Sequence, residues 1–235
     1  MNSKEDIIGR EKECAVIANF IRQRKNTIIF GPEGVGKTAV INKVLNDLSN
    51  INIFHSLFSK TLKESLLNFM IYGTFSKKDI QKADTLALKK LFYGIMAKKN
   101  PEYIVFDHVE NVEPKFYSFF VYLMEAKIPL IVLSRGLEKK EIGHLRMSSF
   151  NFEKVELSNF DKSGADILIG HFINEFGINI TKSDEFKKQI FNFSKGNPKV
   201  IKGLCFLARD IKYQRNNGLD VRLMDLDRRI SEVVH

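Results

Sequence analysis

The chain has 235 residues, with 37 Lys+Arg against 28 Asp+Glu and a formal net charge of +9. Hydrophobic residues at 44% supply enough apolar surface to offset the entropy of folding, which excludes a disordered chain. Two cysteines, Cys14 and Cys205, are too few for a disulfide framework or a cysteine-based zinc site, and a reducing, cytoplasmic setting is expected.

In chain order, the polar stretch Met1 to Asp6 has no apolar signal core behind it, so export is not expected. Cys14, Ile17, Ala18 and Ile21 recur at helical spacing and predict a helix with one apolar face. Thr27 to Phe30 reads as a short buried strand ending at Gly31, and residues 37–48 return to helical spacing through Val40, Ile41, Val44, Leu45 and Leu48. Ile51 to His55 is a second strand, followed by helical stretches over 61–72 and 79–98. Tyr103 to Phe106 is a third strand ending at Asp107; Phe116 to Ala126 is helical; Pro129 to Leu133 and Lys154 to Leu157 are the fourth and fifth strands. The apolar run Ile128 to Leu133 falls far short of the ~18 residues of a membrane helix.

Strands separated by long helical crossovers predict an α/β fold, a five-stranded parallel sheet with helices on both faces. After Leu157 the strand signal stops. Segments 162–176, 182–194, 198–213 and 222–233 read as helices, so the expected organisation is an α/β domain over 1–157 and a small all-helical lid over 158–235.

Gly31-Pro32-Glu33-Gly34-Val35-Gly36-Lys37-Thr38 matches G-x-x-x-x-G-K-[ST] at every required position, between an apolar strand and an amphipathic helix, and Gly31 to Ala39 are expected to bind nucleotide. The glycines let backbone N–H groups turn inward around phosphates, and the helix N-terminus adds partial positive charge. Lys37 would reach the β- and γ-phosphates and the Thr38 hydroxyl would ligate Mg²⁺. Asp107, at the carboxyl end of an apolar strand where α/β sheets bind their ligands, is the second expected magnesium residue.

With these residues the chain resembles the AAA+ and STAND P-loop ATPases, closest to initiator-like and transposition-helper members. Further matches carry the likeness. Ile7-Ile8-Gly9-Arg10-Glu11-Lys12-Glu13 is similar to the entry segment that packs against adenine, which implies nucleotide contacts for Ile8, Gly9 and Arg10. Leu130 to Arg135 resembles the strand whose terminal polar residue reads the γ-phosphate, implying that role for Arg135. Gly196-Asn197-Pro198-Lys199 resembles the lid turn that presents a basic residue to the phosphates, implying roles for Pro198 and Lys199. Arg146, in the segment before the fifth strand, stands where initiator-type members place an arginine finger. The resemblance implies ATP/ADP with Mg²⁺ held between the P-loop domain and the lid, in a protein that switches or assembles with nucleotide.

One departure bears on turnover. Relatives place Glu after the magnesium Asp, where this chain has Asp107-His108-Val109-Glu110. His108 is one candidate base, its ordinary pKa near 6.5 being suitable, and Glu110 is the other. A non-hydrolysing adaptor that keeps nucleotide as a structural ligand is the alternative; a small-molecule kinase is disfavoured by the entry segment and the Gly-Asn-Pro-Lys turn.

His55, His144, His171 and His235 lack metal-ligand spacing, and Cys14 and Cys205 read as core packing. Lysine pairs, among them Lys77-Lys78, Lys89-Lys90 and Lys98-Lys99, read as solvated helix faces. Residues 195–235 hold nine Lys/Arg against five acids. Backbone-dominated DNA contact is therefore one expected partnership, and a protein partner or second copy is the other.

Overall fold

A computed structural model describes residues 7–48, 51–73, 75, 80, 82–180, 182–215 and 218–234. The Met1–Asp6 stretch, the Lys77-Lys78 pair, positions 79 and 81 of the second expected helix of 61–98, and His235 lie outside them.

Five parallel strands form one sheet: β1 (Thr27–Phe30), β2 (Ile53–Ser56), β3 (Tyr103–Val109), β4 (Leu130–Ser134) and β5 (Glu153–Glu156), in spatial order β2-β3-β4-β1-β5. The order puts β1 at an inner position, pairing Ile29 with Leu133 on one side and with Val155 on the other. Helix α1 (Glu11–Arg22) precedes β1, and α2 (Lys37–Asp47), α3 (Leu62–Phe69), α4 (Thr85–Lys99) and α5 (Pro114–Glu125) lie in the crossovers between strands. Residues Lys12–Pro32 and Lys37–Leu157 make one compact unit.

The core of this unit is aromatic. Phe106, fully buried on β3, meets Phe69, Phe116, Phe119 and Phe120 with ring centroids 4.6–6.4 Å apart. Each such ring contributes ~1.5–3 kcal/mol by burial, and edge-to-face geometry adds to that. Helix starts follow local chemistry. Thr61 and Glu64 form a reciprocal capping box at α3. Asp84 accepts from Ala87 N–H and caps α4, which begins at Thr85; Ile80, within the expected 79–98 stretch, is helical too.

The second unit comprises residues 7–11, Glu33–Gly36 and the chain from Ser158 on. Its helices are α6 (Lys162–Phe176), α7 (Ser183–Ser194), α8 (Pro198–Leu207) and α9 (Val221–Val234), packed around Ile169, Ile190, Ile201, Leu204 and Met224. The stretch expected to be helical over 198–213 stops at Leu207 and resumes as a 3₁₀ turn, Ile211–Tyr213, because the Asp210 carboxylate accepts from Lys212 N–H and starts a new turn. A two-residue antiparallel pair, Gln214–Arg215 with Gly218–Leu219, is the one β element of this unit among the described residues.

Candidate nucleotide-binding and hydrolysis site

The loop from Gly31 to Gly36 joins β1 to α2. Gly31 has φ +150°, and a Cβ there would stand 2.0 Å from the Leu157 carbonyl oxygen, so only glycine fits where β5 ends beside β1. Gly36 has φ +99° with open space around it, so its requirement is backbone conformation alone. Lys37 Nζ donates to the carbonyls of Gly31 (2.7 Å) and Pro32 (2.9 Å), which holds the ammonium across the loop. Val35 is buried and Ala39 is exposed on the first turn of α2.

Thr38 and Asp107 come together. The Thr38 hydroxyl donates to Asp107 Oδ2 at 2.7 Å, and the carboxylate is 2% exposed near the carboxyl end of β3. A hydroxyl and a carboxylate are the hard oxygen donors that Mg²⁺ takes alongside phosphate and water oxygens, so the residues fit that ion. Among the described residues no cluster of three or more His, Cys, Asp or Glu is arranged to hold a metal by itself.

β3 does not end at Asp107. It continues to Val109 through a register shift between Phe106 and Val109, with His108 at φ +56°. This bulge re-aims the His108 side chain. Asp107 Oδ1 accepts from His108 N–H at 2.7 Å and lies 3.2 Å from His108 Nδ1, which also lies 3.0 Å from the Leu57 carbonyl oxygen. Both neighbours of Nδ1 are acceptors, so the neutral ring carries its proton there and its lone pair on Nε2. The Phe58 ring stacks on His108, centroids 5.4 Å apart. Glu110 is engaged elsewhere: Lys60 Nζ stands 3.3 Å and Arg135 Nε 3.6 Å from its carboxylate.

His55, on β2, lacks metal-ligand spacing, and nothing nearby in the chain marks it as part of the site. Its Nε2 is buried without a hydrogen-bond partner among the described residues. Burial holds its pKa below the ordinary 6.5, the Asp107 charge opposing and His108 reinforcing that shift.

In the second unit, Asn197 caps α8, its Oδ1 accepting from Lys199 and Val200 N–H, with Pro198 at the first helical turn. Asn197 Nδ2 donates to Glu33 O (2.8 Å), Lys199 N–H donates to Gly34 O (3.1 Å), and Lys199 Nζ pairs with Glu33 Oε1 (3.3 Å). Ile8 packs on the helical core, and Gly9 N–H donates to Glu11 Oε1. The buried Arg10 donates to the Ser158 carbonyl and stacks 4.1 Å over Phe160. Phe160, which no motif singles out, and Asn197, inside the Gly-Asn-Pro-Lys turn, thus hold these segments in place. Arg146 lies exposed on the 3₁₀ run Gly143–Asn151, and among the described residues it forms no hydrogen bond or ion pair with Lys37, Thr38 or Asp107.

A family model described as an AAA domain matches residues 21–140. The chain belongs to the AAA domain family. Over 91 residues, 38% of this chain, it is 26% identical to the chaperone protein ClpB of Malacoplasma penetrans (strain HF-2), of which the match spans only 13%. The Aeropyrum pernix ORC1 protein in complex with DNA is similar with a TM-score of 0.71 at 13% identity, covering 100% of this chain and 73% of that one. Replication initiator DnaA bound to AMPPCP and single-stranded DNA gives 0.63 at 15% identity, covering 97% and 68%. A point mutant of Thermotoga maritima RuvB gives 0.60 at 14% identity, covering 97% and 71%. These likenesses establish an AAA+ P-loop fold with initiator-like neighbours. No helix among the described residues is long and apolar enough to cross a membrane.

Proposed function

We propose that the chain is a Mg²⁺-dependent, ATP-binding AAA+ ATPase of STAND-like character, a nucleotide-driven switch or assembly factor of the cytoplasm acting on DNA or a protein partner. The observation that carries this reading is the buried Asp107 carboxylate set 2.7 Å from the hydroxyl of the P-loop Thr38. The proposed organisation is a P-loop domain over 1–157 and a helical lid over 158–235.

Thr38 and Asp107 would hold Mg²⁺, which when bound supplies charge neutralisation and a template for the phosphates. Gly31–Ala39 would cradle the phosphates by backbone N–H groups, and Lys37 would exchange its carbonyl partners for phosphate oxygens. Ile8, Gly9 and Arg10 would frame the base; Arg10 would do so indirectly, through Phe160 and Ser158. His108 is the proposed base. Its Nδ1 is anchored and its Nε2 lone pair is available to take a proton from the attacking water as the bond to the ADP oxygen breaks. Glu110 would serve to hold Arg135, a phosphate-reading residue, through their ion pair. Lys199 would leave Glu33 to meet the phosphates, and Arg146, being exposed, would act on a neighbouring copy.

Two features favour DNA. The ORC1 and DnaA neighbours were both captured with DNA. Lys195, Arg209 and Arg222 have no ion-pair partner among the described residues, whereas Lys212, Arg228 and Arg229 are neutralised by Asp225, Asp227 and Glu232. Phosphate release from Mg·ATP by wild type, Lys37→Ala and His108→Ala, with and without duplex DNA, tests the reading. Turnover that needs Lys37 and His108 and rises with DNA supports it. Tight nucleotide binding without turnover under any condition replaces it with the adaptor.

A further inference from the structure

Phe58 is an exposed aromatic residue with no evident place in the core. It is 57% exposed, and its ring partner among the described residues is the His108 imidazole, 5.4 Å away at 28°. A phenylalanine left in water forfeits most of its burial energy, so its contribution lies in what it touches.

The loop that carries Phe58 is built stiff. Ser56 and Ser59 are fully buried; Ser59 Oγ donates to Ser56 Oγ at 2.8 Å, and Ser56 Oγ donates to the Phe58 carbonyl at 3.1 Å. Asn68 Nδ2, on α3, approaches the same carbonyl at 3.4 Å. With the Phe58 carbonyl held from one side, the preceding Leu57 carbonyl is turned toward His108 Nδ1 at 3.0 Å. A few residues on, Lys60 reaches Glu110 at 3.3 Å. One short loop therefore touches both residues that compete for the role of base, pairing Glu110 off and orienting His108.

His108 needs such support. Its φ of +56° is a left-handed conformation that a non-glycine residue holds only when its surroundings over-determine it, at a cost of ~1–3 kcal/mol. Its side chain is half-exposed, and a half-exposed imidazole with no fixed contact would rotate about χ2 and exchange tautomers freely. Two acceptors fix the tautomer only while Nδ1 faces them, and the Phe58 face holds the ring in the plane that keeps it there.

We propose that Phe58, together with the Leu57 carbonyl, is a positioning residue for ATP hydrolysis, locking His108 in the Nδ1–H tautomer so that Nε2 presents its lone pair in a fixed direction. This rests on the reading of His108 as the base. Phe58 itself touches no reacting atom.

The test uses the full chain as wild type, Phe58→Ala, Phe58→Trp and His108→Ala. Long-range ¹⁵N–¹H spectra of ¹⁵N-histidine protein without nucleotide report the tautomer directly, with His108→Ala assigning the resonances. Wild type shows His108 as Nδ1–H; Phe58→Ala shows exchange averaging toward Nε2–H; Phe58→Trp restores the wild-type pattern. With Mg·ATP, Phe58→Ala lowers kcat about tenfold, a part of the ~10²–10⁴ that a positioned base contributes, with KM unchanged, and Phe58→Trp recovers it. An Nδ1–H signal unmoved by Phe58→Ala overturns the proposal, as does a kcat loss matched by an equal change in KM. If His108→Ala keeps wild-type turnover, the base reading fails while the spectra still decide whether Phe58 sets the ring. If wild type shows no turnover, the hydrolytic role is overturned together with the base reading, and the spectra decide only whether Phe58 sets the ring.

Discussion

Replacing Gly31 with alanine separates two costs that sequence motifs merge. Both Gly31 and Gly36 belong to the phosphate loop, and both hold positive φ, at +150° and +99°. For alanine, either conformation costs ~1–3 kcal/mol of backbone strain. At Gly36 nothing lies within 4 Å of the added carbon, so the strain is the whole cost. At Gly31 the new carbon would stand 2.0 Å from the Leu157 carbonyl oxygen, well inside van der Waals contact, and that atom is backbone. Leu157 must retreat, which breaks its N–H bond to the Phe30 carbonyl, 2.8 Å long, and frays the end of β5. One backbone hydrogen bond is worth ~0.5–1.5 kcal/mol net, so Gly31→Ala is expected to exceed Gly36→Ala by about that much and to reach ~2–4 kcal/mol in all. Urea unfolding followed by far-ultraviolet circular dichroism, with both variants in parallel, measures the difference. Equal losses, or a larger one for Gly36→Ala, would refute the assignment of Leu157 as the constraint.

Further outcomes follow from other groups. Lys37→Ala should unfold within about 1 kcal/mol of wild type, because the half-buried ammonium gives up bonds to two loop carbonyls that water can replace; it should lose the ~2.7 kcal/mol that Mg·ATP at a hundredfold excess over Kd confers. Thermal melts with and without Mg·ATP check this. Cys205 is fully buried with its thiol pushed up to about 12, so iodoacetamide should modify the half-buried Cys14 first and reach Cys205 only on unfolding, as peptide mass mapping would show. Burial keeps His55 neutral in the folded state below the 6.5 at which the unfolded chain takes up a proton. Stability is thus insensitive to this group above that pH and falls as the pH drops through the window between 6.5 and the lower folded value. His55→Gln should flatten the fall in urea midpoint from about pH 7.5 to about pH 5.5.

Much of the site was legible in the residues. The phosphate loop is local, so strand, turn glycines and helix start stand in one stretch of chain, and Asp107 follows four apolar residues that mark a buried strand. Gly-Asn-Pro-Lys was legible as a helix start because Asn and Pro are favoured there for separate local reasons. The continuation of β3 was not legible, since a bulge with a left-handed histidine leaves no glycine or asparagine to announce it. Nor were the partners of Arg10 and Glu110. Phe160 and Ser158 lie far along the chain from Arg10, and Lys60 and Arg135 flank Glu110 from opposite directions in sequence. The Glu110 pairings are set by the β2-β3-β4 order in the sheet and the Arg10 pairings by packing within the second unit, neither of which a single sequence spells out.

That strand order also sets a timetable for synthesis. Thr27 pairs with Ile131 on one side and with Glu153 on the other. The strand that carries the phosphate loop therefore leaves the ribosome early but has no neighbour until more than half the chain has been made. Until then Ile28 and Ile29, buried in the finished sheet, are unpaired and open to chaperones or to aggregation. Parallel pairings this distant in sequence also close slowly. A nascent chain halted before β4 carries the nucleotide motif without a sheet to mount it on, and competence to bind ATP marks the completion of the α/β unit.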